Sequence, residues 1–162
     1  MRNKFAFLRT LALLSSVGFL SAMSNSAMAV DGKSIPGTNC IDQSNQNDVS
    51  YHAFYGYLTN DVNGNNRVQC PVVRDTMAAR NNHFNFVRVQ LRKFNSTSTH
   101  CSLDSRNRTG STGSFRNGSV GGTGYKTLSI SQPIQSYYYG PMNISCGLQD
   151  NDQLHGYNYE ER

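Results

Sequence analysis

Four cysteines, four histidines and a few scattered carboxylates are the residues of this chain best suited to chemistry. Cys70 stands in "VQCPVVRD", Val68 to Asp75. A cysteine close to Arg74 and Asp75 suits a reactive thiol or a metal ligand. The same stretch also reads as a strand stapled by a disulfide and ended by a polar turn, with Asp75 bonding nearby backbone N–H groups. Spacing favours the second reading. Cys40, Cys70, Cys101 and Cys146 lie about thirty to forty-five residues apart, whereas structural zinc sites draw on close pairs such as C-x-x-C.

The histidines, His52, His83, His100 and His155, show no H-x-H or H-E-x-x-H spacing, and no G-x-S-x-G elbow is present. His100 and Asp104 read as a surface pair rather than part of a hydrolytic triad. Asp61, Asn63 and Asn65 imitate a calcium loop, but Asn66 stands where that loop needs glycine and Val72 where it needs glutamate. Asp150 and Asp152 alone are a weak calcium signal. No metal, cofactor or catalytic residue is therefore expected.

Binding residues are a different matter. In a strand, Tyr137 and Tyr139 share one face, and tyrosine offers contact area with a hydroxyl tip. They are the candidate ligand-binding residues. Tyr157 and Tyr159 are further candidates, and ordinary β packing is the competing reading for all four. Arg88, Arg92, Lys93, Arg106, Arg108 and Arg116 form either a basic patch or the solvated faces of a sheet. A patch would suit an acidic polysaccharide or a lipopolysaccharide phosphate. Asn95, Asn107, Asn117 and Asn143 begin N-x-S/T triplets, which asparagine- and serine-rich sequence produces by chance, and glycans are not assumed.

The elements that position these residues begin with a leader. Arg2, Lys4 and Arg9 precede the apolar stretch Thr10 to Met23, and Ala27-Met28-Ala29 matches the small-x-small cleavage pattern. Residues 1–29 read as a signal peptide and 30–162 as one exported domain, secreted or periplasmic, with no membrane span after cleavage. Of fifteen Lys and Arg, three leave with the leader, so twelve face ten Asp and Glu, a formal +2. That balance gives no case for nucleic acid.

After a lead-in over 30–37, expected to be mobile, short runs of Tyr, Phe, Val and Ile alternate with Asn, Gly, Ser and Asp clusters. The pattern predicts an all-β domain, a two-sheet antiparallel sandwich of seven or eight short strands. "VSYHAFYGYL" reads as one strand, with Tyr51, Ala53, Tyr55 and Tyr57 on one face. Asn63-Gly64 reads as its hairpin turn. Pro71 places its strand at an edge or breaks the ladder. In "NNHFNFVRVQLRKF", Val87, Val89 and Leu91 oppose Arg88, Gln90 and Arg92, and the phase of Phe84 and Phe86 predicts a bulge or a face shared with the second sheet. The stretch Thr109 to Gly124 reads as the loosest part of the chain, and "LHGYNYEE" as a final strand.

An even number of cysteines in a small exported chain favours two disulfides. Three pairings are possible. Cys40–Cys70 with Cys101–Cys146 is preferred, because Cys101-Ser102-Leu103 and Cys146-Gly147-Leu148 share one phase, as two meeting core strands require.

The order of these signals resembles a group of small exported bacterial proteins of uncharacterised function. It rests on Cys40, Tyr55-Gly56, "VQCPVVRD", "VRVQL", "CSLDSRN" and Cys146 before a Tyr-rich acidic end, and "CPVVRD" is its distinctive part. The resemblance implies a β-sandwich and export, and no chemistry. The sequence thus points to a non-catalytic exported protein acting by surface interaction or as a structural, envelope-associated component. Its partner would be a glycan or an envelope component. The alternative is a carbohydrate-binding module with a tyrosine stacking platform.

Overall fold

Buried Val87, Val89 and Leu91 alternate with exposed Arg88, Gln90 and Arg92, the period of a strand lying on a core. The computed structural model describes residues 31–43, 48–73, 83–106, 109, 112–131, 134–135 and 141–161. The leader, Arg74, Asp75, Arg108, Tyr137 and Tyr139 lie outside the described residues.

Twelve strands are present among the described residues. They are β1 (Asp31–Pro36), β2 (Ile41–Asp42), β3 (Val49–His52), β4 (Tyr57–Asn60), β5 (Asn66–Pro71) and β6 (His83–Lys93). After these come β7 (Thr99–Arg106), β8 (Thr112–Val120), β9 (Gly124–Ile130), β10 (Ile134–Gln135), β11 (Met142–Leu148) and β12 (Gln153–Glu161). They build two antiparallel sheets, an all-β sandwich as expected, with several more short strands.

The seven-stranded sheet is centred on β6 and β12. The far edge of β12 is shared between β4 and β1, and β3 lies beyond β4. The far edge of β6 is shared between β9 and β10. The five-stranded sheet runs β2-β5-β11-β7-β8. Leu58, Val87, Val89, Leu91, Leu128 and Leu154 of the first sheet form a core with Val68, Leu103, Ile144 and Leu148 of the second.

Both disulfides form as expected, Cys40–Cys70 and Cys101–Cys146. Cys101 sits directly opposite Cys146 on β7 and β11. The register of Ile41 with Gln69 places Cys40 opposite Cys70 in the same way, with Cα atoms 4.0 Å apart. Both bridges therefore lie within the five-stranded sheet, and neither joins the two layers.

The layers are held by packing and by four polar bridges. Tyr157 Oη donates to the carbonyl of Pro71 at 2.6 Å, and Tyr159 Oη donates to that of Val73 at 2.6 Å. Asn60 Nδ2 donates to the carbonyl of Leu148 at 3.1 Å. Lys93 Nζ lies 2.6 Å from Asp152 Oδ2 and 2.7 Å from Thr99 Oγ1, with Lys93 and Asp152 fully buried. Core Val, Leu and Ile side chains stabilise by about 1.5–3 kcal/mol each, so interlayer cohesion is mainly apolar.

Several local expectations are corrected. "VSYHAFYGYL" is a hairpin, β3 and β4, rather than one strand. Its loop is 53–56: Tyr55 and Gly56 donate their N–H groups to the His52 carbonyl, and Gly56 takes φ +73°, a conformation glycine adopts without cost. Asn63-Gly64 joins β4 to β5, which lie in different sheets. There Asn60 Nδ2 bonds the Gly64 carbonyl and Asn60 Oδ1 accepts from Val62 N–H, so the chain crosses between layers instead of doubling back.

The lead-in is strand β1, paired with β12 over its whole length. Gly37 follows it, where a Cβ would stand 1.9 Å from the Leu154 carbonyl oxygen; only glycine permits that approach. Thr109 to Gly124 is not loose throughout, because β8 gains a full ladder from β7. The bulge expected near Phe84 and Phe86 is present, where Glu160 and Glu161 pair with Phe86 and Phe84. Pro71 ends β5, past the two positions that β2 covers.

Candidate functional site

The outer face of the seven-stranded sheet is laid out by strand register. Ser50, Thr59, Gln153, Arg92 and Tyr125 are successive cross-strand neighbours, forming one row from β3 to β9. The adjacent row starts with His52 and Tyr57 and continues through Gly156, Gln90 and Thr127. His155 is an extra residue between the Leu154–Leu91 and Gly156–Gln90 pairs. A bulge of this kind re-aims its side chain, and the His155 ring reaches Tyr57 and Tyr125 on this face.

The result is a continuous run of rings assembled from three separate parts of the chain. Tyr55 and Tyr57 stack with centroids 6.0 Å apart. Tyr57 lies 4.5 Å from His52 and 4.9 Å from His155. His155 lies 5.5 Å from Tyr125. The Arg92 guanidinium carbon, Cζ, then sits 5.4 Å from the Tyr125 centroid and 4.9 Å from that of Phe94. At the other end, Phe54 meets Tyr55 edge-on at 5.1 Å.

This run is open to solvent. Phe54 is 92 % exposed, Tyr55 70 % and Tyr125 72 %. A depression of about 260 Å³ opens between Tyr125 and His155, with Gln90, Lys126 and Thr127 on its walls. Burial, and then the positive charge of Arg92, hold the His155 pKa below 6.5. Its imidazole is neutral at pH 7 and keeps one nitrogen able to accept a hydrogen bond. Exposed rings beside hydroxyl, amide and guanidinium groups can stack on a flat or ring-shaped ligand and hydrogen-bond its polar rim.

A second depression, about 320 Å³, lies on the five-stranded sheet between Asn65, Arg67, His100, Phe115 and Asn117. It is larger, and among the described residues its lining rings are Phe115 and His100, with no stacked run.

Tyr157 and Tyr159 are buried, their hydroxyls spent on Pro71 and Val73, so packing accounts for them. Tyr137 and Tyr139 lie outside the described residues. His100 and Asp104 do not approach each other: four positions apart on β7, their backbones are separated by about 13 Å. The expected basic patch is divided. Arg88 and Arg92 face outward from β6, Lys93 is buried, and Arg106 and Arg116 belong to the other sheet. Asp152 is bonded to Lys93 and Thr99. Among the described residues, no three His, Cys, Asp or Glu side chains cluster as metal ligands.

The sequence missed Tyr57, Tyr125, His155 and Arg92 as one site. Their only local signals were the aromatic density of 51–57 and a tyrosine beginning "YKTLSIS".

No protein-family model matches the chain, and no curated protein matches it. Solved structures do. The C-terminal CBM6 of LamC, a marine laminarinase from Zobellia galactanivorans, aligns with 80 % of this chain and 98 % of its own, at 14 % identity and a TM-score of 0.51. A carbohydrate-binding module CBM36, solved with calcium and xylotriose, covers 79 % of this chain and 98 % of its own, at 14 % identity and a TM-score of 0.48. A CBM6 from Clostridium stercorarium, solved with cellobiose, covers 73 % and 89 %, at 11 % identity and a TM-score of 0.43. The likeness to the LamC module is one of fold.

Proposed function

We propose that this chain is a non-catalytic exported protein that binds carbohydrate on the outer face of its seven-stranded sheet. The carrying observation is the run of rings from Tyr55 through Tyr57 and His155 to Tyr125. Sugar rings offer one apolar face for stacking and a rim of hydroxyls. Tyr57 and Tyr125 supply the stacking surfaces, while Gln90, Thr127 and neutral His155 supply donors and acceptors at the rim. The fold shared with the LamC module supports this reading. Two disulfides and a leader-like N-terminus are in keeping with an oxidising, extracytoplasmic location, and no helix among the described residues is long and apolar enough to cross a membrane.

The platform proposed is thus not the Tyr137–Tyr139 pair that the sequence singles out. A pull-down on insoluble polysaccharides tests this. Wild type is retained, while Tyr57→Ala and Tyr125→Ala each reduce retention about tenfold or more. Unchanged retention in both variants would overturn the placement of the site.

A second reading, contact with a protein partner, is favoured by Phe54 alone. It is the most exposed of the large apolar side chains described and stands on the β3–β4 loop. A Phe54→Ser variant that keeps glycan retention but loses a co-purifying protein would support it.

A further inference from the structure

Resting on the carbohydrate reading, we infer that the ligand of this face is an anionic polysaccharide, one bearing uronate carboxylates or sulfate esters. The charges on the face point that way. Its cations are Arg88 and Arg92, both exposed on the outward phase of β6; Lys126 borders the depression but has the phase of buried Leu128, with its ammonium toward Gly122. The two rows that carry the rings contain no Asp or Glu, and neither does the lining of the depression. Two acidic residues stand at the ends of the face, away from the arginines and the depression: Asp61, whose carboxylate accepts from Ser50 Oγ at the β3 end, and Glu160, opposite Phe86, beyond the Asn158–Arg88 pair.

Both arginines are held for planar recognition. Arg88 Cζ lies 4.4 Å from the Phe86 centroid, and Arg92 is set against Phe94 and Tyr125. Stacking occupies the faces of a guanidinium and leaves its N–H edge for a carboxylate or sulfate. A bidentate bond of that kind is stronger than a neutral one. Along β6 the two lie four positions apart, about 13 Å, with Gln90 between them. That span exceeds one sugar and suits a polymer carrying charge at intervals. Tyr125 and His155 flank the same line, so stacking and charge recognition act on one chain of sugars.

Matched polysaccharides that differ only in charge provide the test. The purified, disulfide-intact chain is titrated with polygalacturonate against its methyl ester, and with dextran sulfate against dextran. A neutral xylan and β-glucan panel and a non-sugar polyanion, polyglutamate, accompany them. The charged member of a pair is expected to bind about tenfold more tightly. Arg88→Gln/Arg92→Gln should erase that preference, Arg92→Lys should restore part of it, and Tyr125→Ala should weaken binding at constant salt. Circular dichroism melts confirm that the exposed substitutions leave the fold intact.

Equal or tighter binding of neutral glycans would overturn the anionic ligand while leaving carbohydrate binding standing. Binding to polyglutamate as strong as to the sugars, and indifferent to Tyr125, would mean unspecific adsorption of polyanions and overturn it as well. Binding to none of these sugars would overturn both readings.

Discussion

Tyr159 and Val73 hold each other by two hydrogen bonds. The Tyr159 hydroxyl donates to the Val73 carbonyl at 2.6 Å and accepts from the Val73 N–H at 3.1 Å. Two residues earlier, on the same face of β12, the Tyr157 hydroxyl donates to the carbonyl of Pro71. The segment that follows Cys70 is thereby an inter-sheet latch. Burial, and then the neighbouring Tyr159, push the Tyr157 pKa well above its usual value, so this phenol stays protonated and able to donate. Tyr157→Phe should cost about 1–3 kcal/mol by leaving the Pro71 carbonyl unsatisfied. Urea unfolding of the variant measures it.

The disulfides answer a different need. Each closes a long loop of the unfolded chain, with separations of 30 and 45 residues, worth about 3.5–4 kcal/mol in the loop-entropy model. Because both lie inside the five-stranded sheet, Cys101→Ala/Cys146→Ala should raise hydrogen exchange first in β7 and β11. The ring face on the other sheet should keep its protection. Mass-resolved exchange reads both.

Lys93, Thr99 and Asp152 tie the ends of β6, β7 and β12 together in a fully buried ion pair. Removing one charge strands the other, so Lys93→Met should cost about 3–5 kcal/mol. The double change Lys93→Met/Asp152→Leu should cost less than the single one. A double-mutant cycle by denaturant titration shows whether it does.

How much of this was legible in the sequence depends on whether the signal was local. Val87, Val89 and Leu91 declared their strand because period two is written in adjacent letters. The Cys101–Cys146 bridge was legible from strand phase. The hairpin at 53–56 was not, because "VSYHAFYGYL" reads as unbroken β-favouring residues and only the φ of Gly56 interrupts it. Asn63-Gly64 misled because its turn chemistry is that of a hairpin while its flanking strands join different layers. The ring face was hidden for the same reason: Tyr57, Tyr125 and His155 meet through register and through a bulge, neither of which leaves a mark in the linear order. Lys93 has the inward phase of Leu91, but its partner lies 59 residues away.

His155 gives the site a pH dependence. Its pKa in the folded protein lies below the ordinary histidine value of 6.5, so the unfolded chain binds its proton more readily. Its contribution to stability is complete above pH 6.5 and declines as pH falls below it. His155→Gln should flatten stability against pH there. Around the ring stand Tyr57, Tyr125, Gln153 and Arg92. A bound anionic sugar would offset the Arg92 charge, so an NMR titration should show the His155 pKa rising when ligand is added.

The central claim is that rings gathered from β4, β9 and β12 form the carbohydrate platform. Isothermal titration of one bound polysaccharide into wild type, Tyr125→Ala and Tyr139→Ala tests it most directly. Tyr125→Ala should lose about tenfold or more in affinity, while Tyr139→Ala stays at the wild-type value. Full affinity in Tyr125→Ala together with loss in Tyr139→Ala would contradict the account.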